Sequence, residues 1–466
     1  MTDCVPIAGY PSRPSIPAGA NLRLHVSTTA PRFRADFHRF ASPVRHMASA
    51  EWSAETAPGM RFDEDWGWPG FDFEVPAEWP SGVYVVVLST GSTRGAELPL
   101  DARSARLLVI VTPPSGSRSA DILYKVPVFT YHAYNTSGGG SLYGSLRPED
   151  IQEDVQAGTR VSRVSLLRPG GGVGGPVKGQ PDPYDPRSPR QTFAHWDAKF
   201  LAWLEREGFA YDCCTDLDLH EGSVLPDGYR LLVSAGHDEY WSAEARGTVE
   251  RFRDAGGNIA NFGANTCWWR VTQSADGALL RCEKFPPGAP AGADPDSLRD
   301  APDHWWESDP ENALFGVSYR NGGGHWSGPR RPLGFRIQHA DHWVFEGMSL
   351  REGDVLGEHD ALIGYECDGA AYVLDDAGHA QASGSDGTPP GFRILGFAPL
   401  PREEAEGWQF AAREPTASPQ AATLGLHRMG GTVFTAATTD WARLLATDAQ
   451  VQAITRNVLS RLSSRR

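Results

Sequence analysis

An antiparallel β-sandwich followed by a larger α/β domain is the fold class this sequence predicts. Three observations carry it. The first part is a series of short β segments separated by Pro and Gly, the pattern changes after a Pro/Gly/Ser-rich linker, and one later unit has the apolar patterning of a parallel strand–helix–strand crossover. The expected boundaries are a sandwich over 1–112, a linker over 113–121 and an α/β domain with β insertions over 122–466.

The sandwich segments are Asn21 to Ser27, Arg32 to Arg39, Phe71 to Val75, Gly82 to Ser89 and Ala105 to Thr112, rich in β-branched and aromatic residues. TPPSGSRSA (Thr112 to Ala120) has linker composition. Ile122 to Phe129 then reads as a buried strand, and Phe193, Trp196, Phe200, Trp203 and Leu204 carry helical spacing up to a stop at Gly208. The clearest unit is Tyr229 to Ala264. The uncharged run Leu231 to Ala235 fits a strand buried on both faces, Ser242 can cap a helix with Glu244 in its first turn, and Asn258 to Gly263 is the next strand. Such a crossover makes the two strands parallel neighbours whose carboxyl ends share one edge, where open α/β sheets bind ligands. Pro302 to Leu400 returns to short β segments, and a helix near Thr447 to Leu462 closes the chain.

Composition narrows the function. A chain of 466 residues with 40% hydrophobic residues and 15 Trp can bury enough apolar surface to fold, which excludes disorder. Its 43 basic against 58 acidic residues give a net charge of −15, the wrong sign for a nucleic-acid partner. Apolar runs such as Tyr84 to Leu88 are strand-length, far short of the roughly 20 residues of a membrane span. The N-terminus has no charged and apolar leader pattern, so a cytoplasmic location is expected. The six Cys lack CxxC spacing, which argues against a disulfide scaffold or a structural zinc site. The Gly/Pro-rich stretch Arg168 to Arg190 is no phosphate loop, because Lys178 is followed by Gly179 and Gln180. A cover over a pocket and a solvated excursion are both open for it.

Chemistry-bearing residues gather where the sheet edge should be. His237, Asp238 and Glu239 follow the strand Leu231 to Ala235, and Asn265 holds the same place after the next strand. Side chains there should converge within a pocket's width. The competing reading makes Asp238 and Glu239 an acidic first helix turn and Asn265 a loop cap. Thr130-Tyr131-His132-Ala133-Tyr134-Asn135, with a Gly/Ser-rich stretch ending at Tyr143, lies past another apolar strand, where tyrosines also serve as packing residues. In Gly364-Tyr365-Glu366-Cys367-Asp368-Gly369 the Asp-Gly pair reads as hairpin punctuation, which would leave Glu366 solvated beside a turn.

Six segments together, SGVY (Ser81 to Tyr84), TYHAYNTSGGGSLY (Thr130 to Tyr143), GHDEYWS (Gly236 to Ser242), NFGANTCWWR (Asn261 to Arg270), GYECD (Gly364 to Asp368) and GGTVFTAATTDW (Gly430 to Trp441), resemble the large, catalytic subunit family of N,N-dimethylformamidase. The resemblance runs in order over nearly the whole chain. It implies an Ig-like sandwich, a glutamine-amidotransferase-like, flavodoxin-like α/β domain, and a mononuclear iron, Fe(III), held by two tyrosinates and one glutamate. Carried onto this sequence, the ligands are Tyr84, Tyr131 and Glu239, with Tyr134 as the alternative to Tyr131, on the opposite face if that run is extended. The surrounding catalytic groups are His237, Asn265 and Glu366. Hard, anionic oxygen ligands suit a trivalent iron, and only a strong Lewis acid holds phenols with a pKa of about 10 as phenolates at neutral pH.

The implied reaction is hydrolysis of a small or N-substituted amide. Water activated at the metal attacks, Glu366 moves the proton, and Asn265 and His237 stabilise the oxyanion. The family's large subunit is longer, with an extra N-terminal lectin-like domain, and works with a small helical subunit. A small amide substrate and either such a subunit or a homo-oligomer are the expected partners. Two other readings stay open: a carbohydrate- or protein-binding surface built on Trp52, Trp66, Trp68, Trp268 and Trp269, and a thiol hydrolase using Cys267.

Overall fold

The computed structural model describes residues 6–90, 104–114, 116–145, 160–173, 188, 190–225, 228–289, 301–326, 328, 330–403, 406–411 and 418–464. Most of the stretch 168–190, including 174–187, lies outside the described residues, and with it both the pocket-cover and the solvated-excursion readings.

Two sheets form the N-terminal part. Ile7–Pro11, Asn21–Thr28 and Gly70–Glu74 make a three-stranded antiparallel sheet. A five-stranded sheet runs Ser15–Pro17, Ser104–Thr112, Gly82–Ser89, Arg32–Arg39, Arg45–Ser53. Every residue of Gly82–Ser89 is buried, because both faces of that strand are covered. Tyr84, Val86 and Leu88 pack into the core between the two sheets, whereas Val83 joins Leu108 and Ile110 in the core of the second half. The two-residue side-chain period of a strand separates these sets.

The second half is built on a nine-stranded sheet in the order Tyr211–Thr215, Ile122–Val126, Leu231–His237, Asn258–Ala264, Gly431–Thr435, Ala421–Met429, Arg393–Pro399, Phe335–Ile337, Val355–Leu356. The first five strands are parallel and the rest antiparallel. The expected crossover is present: Leu231↔Asn258 through His237↔Ala264 are in parallel register, and the intervening helix Ala243–Asp254 is capped by Ser242 Oγ, which accepts from Ala245 N at 3.1 Å. Helix Asp197–Glu207 ends at Gly208, whose φ of +75° is the left-handed cap the sequence suggests. From Ile122–Val126 the chain first goes to one neighbour, Tyr211–Thr215, and then to the other, Leu231–His237. The carboxyl edge between those outgoing strands is therefore a topological switch point.

Three local expectations change. The run after Ile122–Val126 is not extended: Val128–Tyr134 is a helix with all seven residues buried, so packing overrides the weak helix propensity of Val, Thr and Tyr. Asp238 and Glu239 are not a helix turn, because they link Leu231–His237 to the short strand Tyr240–Ser242 and the helix begins at Ala243. Asp368-Gly369 is not a hairpin turn but part of strand Glu366–Gly369, paired with Ser318–Gly324, and Glu366 is only 3% exposed. Among the described residues no helix is long and apolar enough to cross a membrane.

Candidate active site

The switch-point edge collects the polar groups. Lys125, at the end of its strand and fully buried, has Nζ 2.5 Å from both Asp216 Oδ1 and Asp238 Oδ1 and lies 4.1 Å from the Trp241 ring. This ion triplet fixes the backbone between His237 and Tyr240. Thr130 Oγ1 adds to it by accepting from Glu239 N at 3.0 Å. Gly236 takes φ +70°, and a Cβ there would lie 2.6 Å from Trp196 Cβ, so only glycine lets the strand turn His237 inward against Trp196.

Glu239 is the centre of the cluster. Tyr134, on the last turn of its helix, donates to Glu239 Oε2 at 2.8 Å; Tyr143 lies 2.9 Å from Oε1 and 3.1 Å from Oε2; and the two hydroxyls are 2.6 Å apart. The intervening Gly-rich stretch brings Tyr143 back: Leu142 N donates to Ala133 O at 3.0 Å, and Gly138, at φ +81°, passes so close to the backbone of Phe62 that a Cβ would lie 2.6 Å from its nitrogen. Lys284 hydrogen-bonds the Tyr240 hydroxyl and sits 3.6 Å from the Tyr143 ring centre. Burial drives the Tyr134 phenol far above its ordinary range. Burial also raises the Glu239 carboxyl, against the lowering pull of His237 and Lys284.

His237 joins this group to Glu366. Its Nε2 is 2.9 Å from Glu366 Oε2 and 3.5 Å from Glu239 Oε2, and its Nδ1 is 2.7 Å from Gln191 Oε1. Burial pulls the imidazole pKa down, but Glu366 and then Glu239 more than reverse this, so the net shift favours the imidazolium. Glu366 Oε1 accepts from Trp326 Nε1 at 2.9 Å. Asn265, at φ +49°, donates its backbone N–H to Asp368 Oδ1 at 2.8 Å, holds Nδ2 3.4 Å from His237 Nε2, and leaves Oδ1 buried without a hydrogen-bond partner among the described residues.

The structure thus brings together four of the six residues singled out in the sequence, His237, Glu239, Asn265 and Glu366, and separates two. Tyr84 faces the sandwich interior, stacked on Trp79 at 4.8 Å, with its hydroxyl donating to Pro80 O at 2.9 Å. Its strand parity points it away from the second half. Tyr131, three residues before Tyr134, points into the helix–sheet interior, where it and Tyr124 both donate to the buried Asp197. The tyrosines that reach Glu239 are Tyr134 and Tyr143 rather than Tyr84 and Tyr131. A second tyrosine beyond a Gly-rich reversal was the available signal for Tyr143. Gln191 had none.

Of the surface named in the binding reading, Trp68, Trp268 and Trp269 are buried and only Trp52 and Trp66 are partly exposed. Cys267 is buried, and that burial drives its thiol well above the ordinary range, the opposite of a nucleophile's environment.

The beta subunit of N,N-dimethylformamidase from Alcaligenes sp is 26% identical over 222 residues, which is 43% of this chain and 27% of that one. The beta subunit of N,N-dimethylformamidase from Paracoccus aminophilus is 27% identical over 183 residues, 35% of this chain and 24% of that one. The matched region thus spans about a quarter of the length of these relatives. The family described as N,N-dimethylformamidase beta subunit-like, C-terminal, matches residues 32–454, and the chain belongs to it.

Proposed function

We propose that this chain hydrolyses a small or N-substituted amide, and that a mononuclear iron, Fe(III), is held by Tyr134, Tyr143 and Glu239. The observation that carries the reading is the meeting of two phenols and a carboxylate within 2.6–3.1 Å of one another, beside a buried His237–Glu366 pair. The donor set fits such an ion: all the donors are oxygen, hard and potentially anionic, and the buried Tyr134 would give up its proton only to a strong Lewis acid. When bound, the ion would supply Lewis acidity toward a carbonyl and toward water.

The chain's own groups account for the proton movements. Glu366, held by Trp326, takes a proton from the attacking water as the oxygen adds to the carbonyl carbon. It returns that proton to the amide nitrogen as the C–N bond breaks, giving a carboxylic acid and an amine. The Asn265 amide and the His237 imidazolium are the donors for the oxyanion of the tetrahedral intermediate. The relatives' name makes N,N-dimethylformamide and other N-alkyl formamides the first substrates to test. It also makes assembly with a second subunit, or a second copy, part of the proposal.

The test joins elemental analysis, the visible spectrum and turnover on a panel of N-alkyl amides. Stoichiometric iron with a phenolate-to-iron absorption band is expected. Glu366→Gln should keep iron and colour while turnover falls by about 10²- to 10⁴-fold, since a neutral amide cannot accept the water's proton. Full hydrolytic activity in iron-free protein, or loss of iron in Glu366→Gln, would overturn the assignment.

A further inference from the structure

Two consecutive residues reach both halves of this site from outside it. Gln191 is fully buried and takes φ +62°, a backbone region that non-glycine residues rarely occupy and that concentrates at functional sites. Its Oε1 is 2.7 Å from His237 Nδ1, and its Nε2 donates to the Tyr365 hydroxyl at 3.0 Å. Arg190, 2% exposed, places its guanidinium 4.1 Å from the Tyr365 ring centre and donates to Trp326 O at 2.7 Å. Trp326 is the residue whose indole N–H holds Glu366 Oε1.

We infer that Arg190 and Gln191 form a positioning clasp, Gln191 fixing the ring orientation and proton position of His237 and Arg190 fixing the indole that aims Glu366. An amide oxygen only accepts, so the Gln191 contact requires a hydrogen on His237 Nδ1. That leaves Nε2 as the nitrogen presented to Glu366 and Glu239. The Tyr365 hydroxyl accepts from the amide nitrogen and so pins the far side of the amide. Tyr365 also carries Arg190 on its ring, so one aromatic side chain sets both members of the clasp. Both residues act through the groups they hold rather than by touching the substrate. Partners of this kind, one step behind a reacting or ligating group, commonly cost 10- to 100-fold on removal.

The inference about rate rests on the amide-hydrolysis reading, while that about the ring does not, so the experiment reads both. In the full-length chain labelled with ¹⁵N-histidine and stripped of metal by chelation, with His237→Gln used for assignment, the wild type should show a protected Nδ1–H on His237. Gln191→Met, of similar size but with no acceptor oxygen, should lose that signal and, in the iron-loaded enzyme, lower kcat by about 10- to 100-fold with KM changed far less. Gln191→Glu keeps an acceptor at the same reach and should restore both. Arg190→Met should lower kcat while leaving the His237 signal in place. An unchanged ring signal and kcat in folded Gln191→Met would overturn the clasp, as would loss of the signal in folded Gln191→Glu, which decides the matter if Gln191→Met does not fold. Absence of amide hydrolysis in the wild type would instead remove the proposed function and leave the ring measurement to decide the contact.

Discussion

At the scale of single residues, the same donor chemistry occurs twice in this protein with different consequences. Glu239 and Asp197 are both buried carboxyls receiving two tyrosine hydroxyls, but only Glu239 has His237, Glu366 and Asn265 beside it. Tyr134→Phe and Tyr143→Phe should therefore abolish iron binding and colour, while Tyr131→Phe and Tyr84→Phe keep both; metal content of the four folded variants checks this. Asp197 serves stability instead. Burial raises its pKa from 3.8 to about 7, against the lowering effect of Tyr131 and Tyr124. Between those values the unfolded chain is ionised and the folded one protonated, so the Asp197 contribution is full below about pH 3.8 and is lost as pH rises through 7. The stability advantage of wild type over Asp197→Asn, read from denaturant midpoints, should shrink from pH 4 to pH 7 and then level off. Cys267→Ala should retain most activity, since its raised thiol has no part in the chemistry; inactivation by that change would restore the thiol mechanism. His237, Glu239 and Asn265 were legible because the crossover rule alone sends them to one edge. Which tyrosines reach Glu239 was not, because strand parity and helix phase decide among Tyr84, Tyr131, Tyr134 and Tyr143, and a shared residue type does not encode them.

Elements make the site rigid before anything binds. The strand Leu231–His237, the switch to Tyr240–Ser242 and the helix Val128–Tyr134 are tied by Lys125 to Asp216 and Asp238 and by Thr130 to Glu239, so the site hangs on one buried ion triplet and a few backbone bonds. Gly236 is the weakest tolerance in this frame. Gly236→Ala forces a Cβ to within 2.6 Å of Trp196 Cβ at a φ of +70°. A loss of about 2–5 kcal/mol follows from the backbone strain and the overpacking together, with His237 displaced. A thermal midpoint and activity equal to wild type would contradict this account of the turn. Strand Leu231–His237 and its crossover were readable because an uncharged apolar run and a capped amphipathic helix agree locally. The helix Val128–Tyr134 was not, because its residues prefer strands in isolation and adopt a helix only where all seven side chains are buried by neighbours distant in sequence.

Over the whole molecule, the two halves share a core although the sequence suggests a linker between them. Val83, Leu108 and Ile110 of the five-stranded sheet belong to the apolar cluster that contains Tyr131, Tyr134 and Trp196. Polar contacts cross the same boundary: Ser81 Oγ accepts from Cys213 N at 2.8 Å, Ser15 Oγ donates to Asp218 Oδ1 at 2.8 Å, and Arg39 pairs with Glu205 at 3.1 Å. A linker composition reports only the local chain, whereas these contacts depend on which face of each strand is left over once the sandwich is filled. Because Leu108 and Ile110 alternate with Leu107, Val109 and Val111, one strand serves both cores, and neither half can loosen without exposing apolar surface of the other. Calorimetry of the full chain should therefore show these halves unfolding in one cooperative transition. Removing residues 1–112 should leave the remainder without a well-packed core, seen as dye binding and loss of the near-ultraviolet tryptophan signal. Two separable transitions, or a truncated chain that keeps a sharp unfolding transition and binds iron, would show instead that the sandwich is an independent appendage and that the site needs nothing from it.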